Sequence, residues 1–151
     1  MDHVTENAAA RLRILTLVDQ LNDEQLAAPL GDGWTLGALL GHLAFWDRVH
    51  VGRLHTALDT GADLPTPLGP GLPDAINGAG LPIWAELPGA AAVLLFAEAS
   101  SEADAYVATL DAATVERVRA AGLARTVERF RHRTEHGDVI EAALKGAVTS
   151  S

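Results

Sequence analysis

Near the C-terminal end of the 151-residue chain, the run Arg131-His132-Arg133-Thr134-Glu135-His136 places two histidines four positions apart. A helix turns once in about 3.6 residues, so both imidazoles stand on one face, one above the other, within reach of a single metal ion. Two imidazoles do not complete a site. The best third donor is His42, in Leu39-Leu40-Gly41-His42-Leu43-Ala44-Phe45-Trp46. The chain contains no cysteine, which removes disulfides, thiolate nucleophiles and Cys-type zinc sites together. Any metal must therefore sit on His, Asp, Glu or water, and any thiol chemistry needs a thiol from outside. Three neutral imidazoles leave a divalent charge uncompensated and a coordination position open, the pattern of a catalytic rather than a structural site. Bound there, zinc or nickel would acidify water or a thiol.

Each of these signals has a plainer reading. A helical histidine pair flanked by Arg131, Arg133 and Glu135 also arises on an ordinary polar face, and a lone histidine among leucines is often a core residue bonded to a carbonyl. The case rests on two separate helices offering histidine to a shared interior. The His-Glu-x-x-His pattern of metalloproteases is absent, because Arg133 stands in the glutamate's place, which counts against a peptidase. Trp46, Asp47, His50 and Glu135 lie close to the three histidines in sequence and are the candidates for backing the ligands or touching a substrate. None is assigned as the general base. His3 falls in a fraying terminus, and His55 reads as a solvated helix residue.

Those side chains require helices to carry them. Val4, Ala8, Leu12, Leu15, Val18 and Leu21 predict a first amphipathic helix capped by Thr5, followed by a short capped turn at Asn22-Asp23-Glu24-Gln25-Leu26 that Pro29, Gly31 and Gly33 stop. The second helix is expected to start at Thr35, with Trp34 stapled against Leu39. Its apolar arc, which includes Leu36, Leu39, Leu43, Trp46, His50 and Leu54, is wide enough to pack on two sides. Six prolines and five glycines between 60 and 88 predict a long irregular connection, with apolar residues that pack down as a wall or as a simple connector. A third helix is expected over 89–110, a short one from Asp111 to Val118, and a fourth over 124–147. This makes an all-α fold: a single domain over 1–151, a four-helix bundle with a long irregular connection between its second and third helices.

Composition bounds the function. A formal net charge of −9 repels a phosphate backbone, so nucleic acid is not an expected partner. No stretch approaches a membrane span and the N-terminus lacks the features of a signal peptide, so a cytoplasmic protein without membrane attachment is expected.

Trp34-Thr35-Leu36 leading into Gly41-His42-Leu43-Ala44-x-Trp46-Asp47, then Asp74-x-x-Asn77, then His132-x-x-x-His136, resembles the DinB-like superfamily over nearly the whole chain. That superfamily also holds the mycothiol-dependent maleylpyruvate isomerases and bacillithiol transferases. The resemblance implies a four-helix bundle, often a homodimer, with a divalent metal on three histidines, by position His42, His132 and His136. Some members carry glutamate where His132 stands, so this chain is similar to the all-histidine branch. The function implied is a metal-dependent thiol S-transferase or related isomerase acting on a small electrophilic substrate, with a low-molecular-weight thiol as co-substrate. A non-enzymatic, stress-related helical dimer with a vestigial or structural three-histidine site is the alternative, and a metal-dependent hydrolase a further one.

Overall fold

A computed structural model describes residues 2–149. It is predominantly helical, in the order α1 (His3–Val18), α2 (Asp23–Leu26), β1 (Pro29–Gly31), β2 (Trp34–Thr35), α3 (Leu36–Thr60), α4 (Leu72–Ala85), α5 (Gly89–Ala108), α6 (Ala112–Ala120), α7 (Ala124–Val127) and α8 (Phe130–Thr149). The long helices α1, α3, α5 and α8 pack on one another, with α3 against α5 and α1 against both α5 and α8. The all-α expectation holds apart from a small antiparallel ribbon, β1 with β2, that the sequence reading missed. No helix among the described residues is long and apolar enough to cross a membrane.

Local chemistry sets the helix ends. Thr35 caps α3 as expected, its hydroxyl accepting from the Ala38 N–H, and Asp111 caps α6 in the same way. Asn22 and Gln25 form a reciprocal capping box on α2. The first helix starts earlier than predicted, because the Asp2 carboxylate, not the Thr5 hydroxyl, accepts from the Thr5 N–H. Its buried face also differs: Asn7, Ile14 and Val18 point inward while Leu12 is largely exposed.

The expected irregular stretch from 60 to 88 is only partly irregular, since α4 occupies half of it. Two of its prolines are compatible with a helix. Pro73 sits in the first turn, where its missing N–H leaves no bond unmade, and Pro82 falls in the last turn, where it removes a single helical bond. Gly80 is obligatory there. A Cβ on it would lie 2.4 Å from the Trp84 ring, which folds back over it.

The predicted single helix over 124–147 is broken into α7 and α8 by Asn7. Its fully buried side-chain amide donates to the Val127 carbonyl at 2.8 Å and accepts from the Phe130 N–H at 2.7 Å, satisfying one orphan group on each side of the break. Replacing Asn7 with alanine would leave both groups buried and unpaired. The Asn7→Ala chain is expected to lose about 1–3 kcal/mol of stability, read as a drop in the urea midpoint. An unchanged midpoint would show that the break needs no partner.

Two apolar clusters fill the interior. One joins Ile14, Val18, Leu36, Leu40, Leu43, Phe96 and Ile140; the other joins Val51, Leu54, Val107, Val118 and Val127. No histidine belongs to either.

Candidate metal centre

Helix α3 supplies His42 and α8 supplies His132 and His136, and the three rings meet between them. His132 Nε2 lies 3.0 Å from His42 Nε2 and 3.1 Å from His136 Nε2. One nitrogen from each ring falls within 4.8 Å of the others. An ion about 2.0–2.1 Å from each nitrogen at tetrahedral angles needs nitrogens about 3.3 Å apart, and His132 Nε2 stands within a few tenths of an ångström of that spacing from each of the other two rings.

All three tryptophans of the chain surround His42, Trp34 and Trp84 with ring centroids at 5.3 Å and Trp46 at 6.5 Å. The β ribbon and α4 thus contribute directly to the site. His42 Nδ1 is buried in this box without a hydrogen-bond partner. Asn77 of α4 stands beside it, its Oδ1 accepting from the Trp46 indole N–H at 2.8 Å. Gly41 permits the close approach of α4, since a Cβ there would lie 3.3 Å from Trp84.

A family model of the DinB superfamily matches residues 6–141, which takes in the three histidines and every element that surrounds them. The chain belongs to the DinB superfamily. No curated protein and no solved structure matches it.

Behind the three histidines lies a buried network of charge. Asp47, a candidate from the sequence, is fully buried and accepts from Arg129 Nε at 2.7 Å and from Arg133 Nη2 at 2.9 Å. Arg133, also fully buried, donates further to Asp104 at 2.7 Å and to the Asn7 and Ser100 carbonyls. Reading Arg133 as a polar-face residue was wrong: its position, one beyond His132, turns it into the α1–α3–α5 interior. Arg129, Arg133, Asp104 and Asn7 were not among the sequence candidates, because polar side chains carry no periodic signal of burial.

Arg129 Nη2 lies 3.2 Å from His132 Nδ1. A guanidinium can only donate, so Nδ1 holds the lone pair and the neutral ring carries its proton on Nε2. A cation at Nε2 requires that proton to move to Nδ1, with Arg129 turned aside, or to leave the ring.

Burial, Arg129 and the neighbouring histidines push His132 far below its ordinary value; burial also lowers His136, and burial with the His136 charge takes His42 to about 3. All three rings are neutral at pH 7. His50, half-buried with Nδ1 3.4 Å from the Thr126 hydroxyl, is likewise lowered to about 3 by burial and by Arg129, Arg53 and Arg125. A histidine lowered in the folded chain leaves the unfolded chain binding the extra proton. Stability of the metal-free protein is thus complete above about pH 6.5 and is expected to fall as pH drops toward 3, with His42 and His50 as contributors. The urea midpoint followed from pH 7 to pH 4 checks this, and a flat profile would contradict it.

Glu135 is the candidate that the structure leaves outermost: half-exposed at the cavity rim, it pairs with Arg125. His55 is exposed beside Tyr106, remote from the site. The histidines open onto a cavity of about 740 Å³ lined by α3, α4, α8, the β ribbon and the connection before α4.

Proposed function

We propose that this DinB superfamily protein holds a divalent metal ion, zinc or nickel, on His42, His132 and His136 and transfers a low-molecular-weight thiol to a small electrophilic substrate, or isomerises such a substrate. The observation that carries the reading is the meeting of three neutral imidazole nitrogens at the wall of a cavity large enough for a small molecule. When bound, the ion supplies an acidified coordination position for a thiol. The chain's own residues do the rest. Trp34, Trp46 and Trp84 exclude water from the His42 side. Asp47 holds the Arg129 guanidinium beside His132. His50, neutral and lining the cavity, offers a polar contact to the substrate.

The four long helices are taken as the bundle this chemistry needs, and a homodimer belongs to the same reading. Leu12 on α1 and Val148 on α8, exposed on helices that pack together, are apolar surface that such a contact would cover.

Purified protein loaded with zinc or nickel, given a small thiol and chlorodinitrobenzene, is expected to retain about one ion per chain and to consume thiol only when metal is present. Failure to retain metal would overturn the reading, as would thiol consumption indifferent to a chelator. Metal-dependent ester cleavage that needs no thiol would replace it with a hydrolase, and metal retained without turnover of any kind would favour the binding module.

A further inference from the structure

The cavity has a second end. His42, Trp46, His50 and Arg53 stand at i, i+4, i+8 and i+11 on α3, so all four fall on one stripe, and all four line the cavity. Eleven residues of helix separate the backbone of His42 from that of Arg53 by about 16 Å. Arg53 therefore marks a pole of the cavity remote from the three histidines.

Its charge is unusual for this chain. Nine of the eleven basic residues pair with a carboxylate. Among the described residues only Arg53 and Arg117 do not, and Arg117 is an exposed residue of α6 outside the cavity. The other two cavity arginines are already matched, Arg125 by Glu135 and Arg129 by Asp47. Arg53 is half-buried, and its single hydrogen bond runs from Nη2 to the Thr66 carbonyl at 2.6 Å. That neutral acceptor orients the guanidinium along the connection before α4, beside the lining residues Pro67 and Leu68. It leaves Nε and Nη1 uncommitted. In a protein of net charge −9, carboxylates are plentiful, yet none meets this cation.

We infer that the cavity's ligand carries a carboxylate that seats on Arg53, at the opposite end from the atom that reacts at the three histidines. One unmatched positive charge calls for a single negative charge, and the planar guanidinium is suited to a carboxylate's two oxygens. His50, uncharged and one turn nearer the histidines, adds a polar contact without competing for the anion. The span selects an elongated molecule over a compact one. This rests on the proposed function for what happens at the histidine end, but not for the seat itself.

The test uses the full chain, with tryptophan fluorescence as the readout because Trp46 lies on the same stripe. In metal-loaded protein, 8-mercaptooctanoate is expected to bind about tenfold more tightly than 8-mercaptooctan-1-ol. 3-Mercaptopropionate, too short to reach, should show no such advantage over 3-mercaptopropan-1-ol. Arg53→Met keeps an unbranched apolar stem but removes the guanidinium and should abolish the long acid's advantage, while Arg117→Met should keep it. The same comparison of octanoate with octan-1-ol in metal-free protein isolates the seat: an Arg53-dependent preference for the acid there supports it even if the histidines never hold an ion. Equal binding of acid and alcohol to the wild-type chain would overturn the inference, as would a preference that survives in Arg53→Met.

Discussion

A His136→Ala chain is expected to lose its metal and keep its fold. Removing a group that merely backs a metal ligand weakens binding by about 10–100-fold, so removing a ligand should exceed about a hundredfold. The two rings left, His42 and His132, would face a cation with only two nitrogens. The fold has no need of the third. His136 is half-buried and belongs to neither apolar cluster, and α8 is anchored by Ile140 and by the Asn7 bond at its first turn. Metal-to-protein ratios after gel filtration should fall from about one to near zero while helical circular dichroism stays constant. Nickel offers a second readout, since an ion beside His42 would quench all three tryptophans that surround it. Full metal retention by the variant would remove His136 from the site. Unfolding of the variant would make the centre a structural one.

The sequence made the three histidines legible and much of their setting illegible, for a physical reason. His132 and His136 announce themselves through helical spacing, and Thr35, Asn22 and Asp111 through capping chemistry that depends only on near neighbours. Metal donors of the right type are few in a chain without cysteine. What stayed hidden depends on distant partners. Asn7 looks like any polar residue of an amphipathic helix until Val127 and Phe130 are brought to it. Pro82 looks like a helix breaker until it is seen to fall in the last turn of α4, and with α4 unforeseen, Trp84 and Asn77 could not be placed at His42. Arg53 gave no signal at all, because what distinguishes it is a missing partner.

The buried charges behind the site lead to the other large expected effect. Asp47 is fully enclosed between two guanidiniums that are themselves enclosed, Arg129 on one oxygen and Arg133 on the other. Burial already pushes Arg129 below its ordinary value, and the Asp47 charge opposes that push. Asp47→Asn preserves shape and removes the charge. Arg133 would retain Asp104, but Arg129 would have no carboxylate left. Breaking a buried pair from one side leaves an uncompensated interior charge and costs about 3–5 kcal/mol. For a chain of this length that is a fall in Tm of about 10 °C. Glu135→Gln, which breaks only the half-exposed pair with Arg125, should change Tm little. The two variants also part at the metal. With Asp47 neutralised, the extra positive charge on Arg129 lies against His132 and repels a cation, so metal affinity should fall together with stability. A Tm within 2 °C of wild type would mean that Asp47 does not hold the arginines. A large loss of Tm with unchanged metal affinity would confine the network to holding α3, α5 and α8 together, and would leave the orientation of His132 to the packing around it.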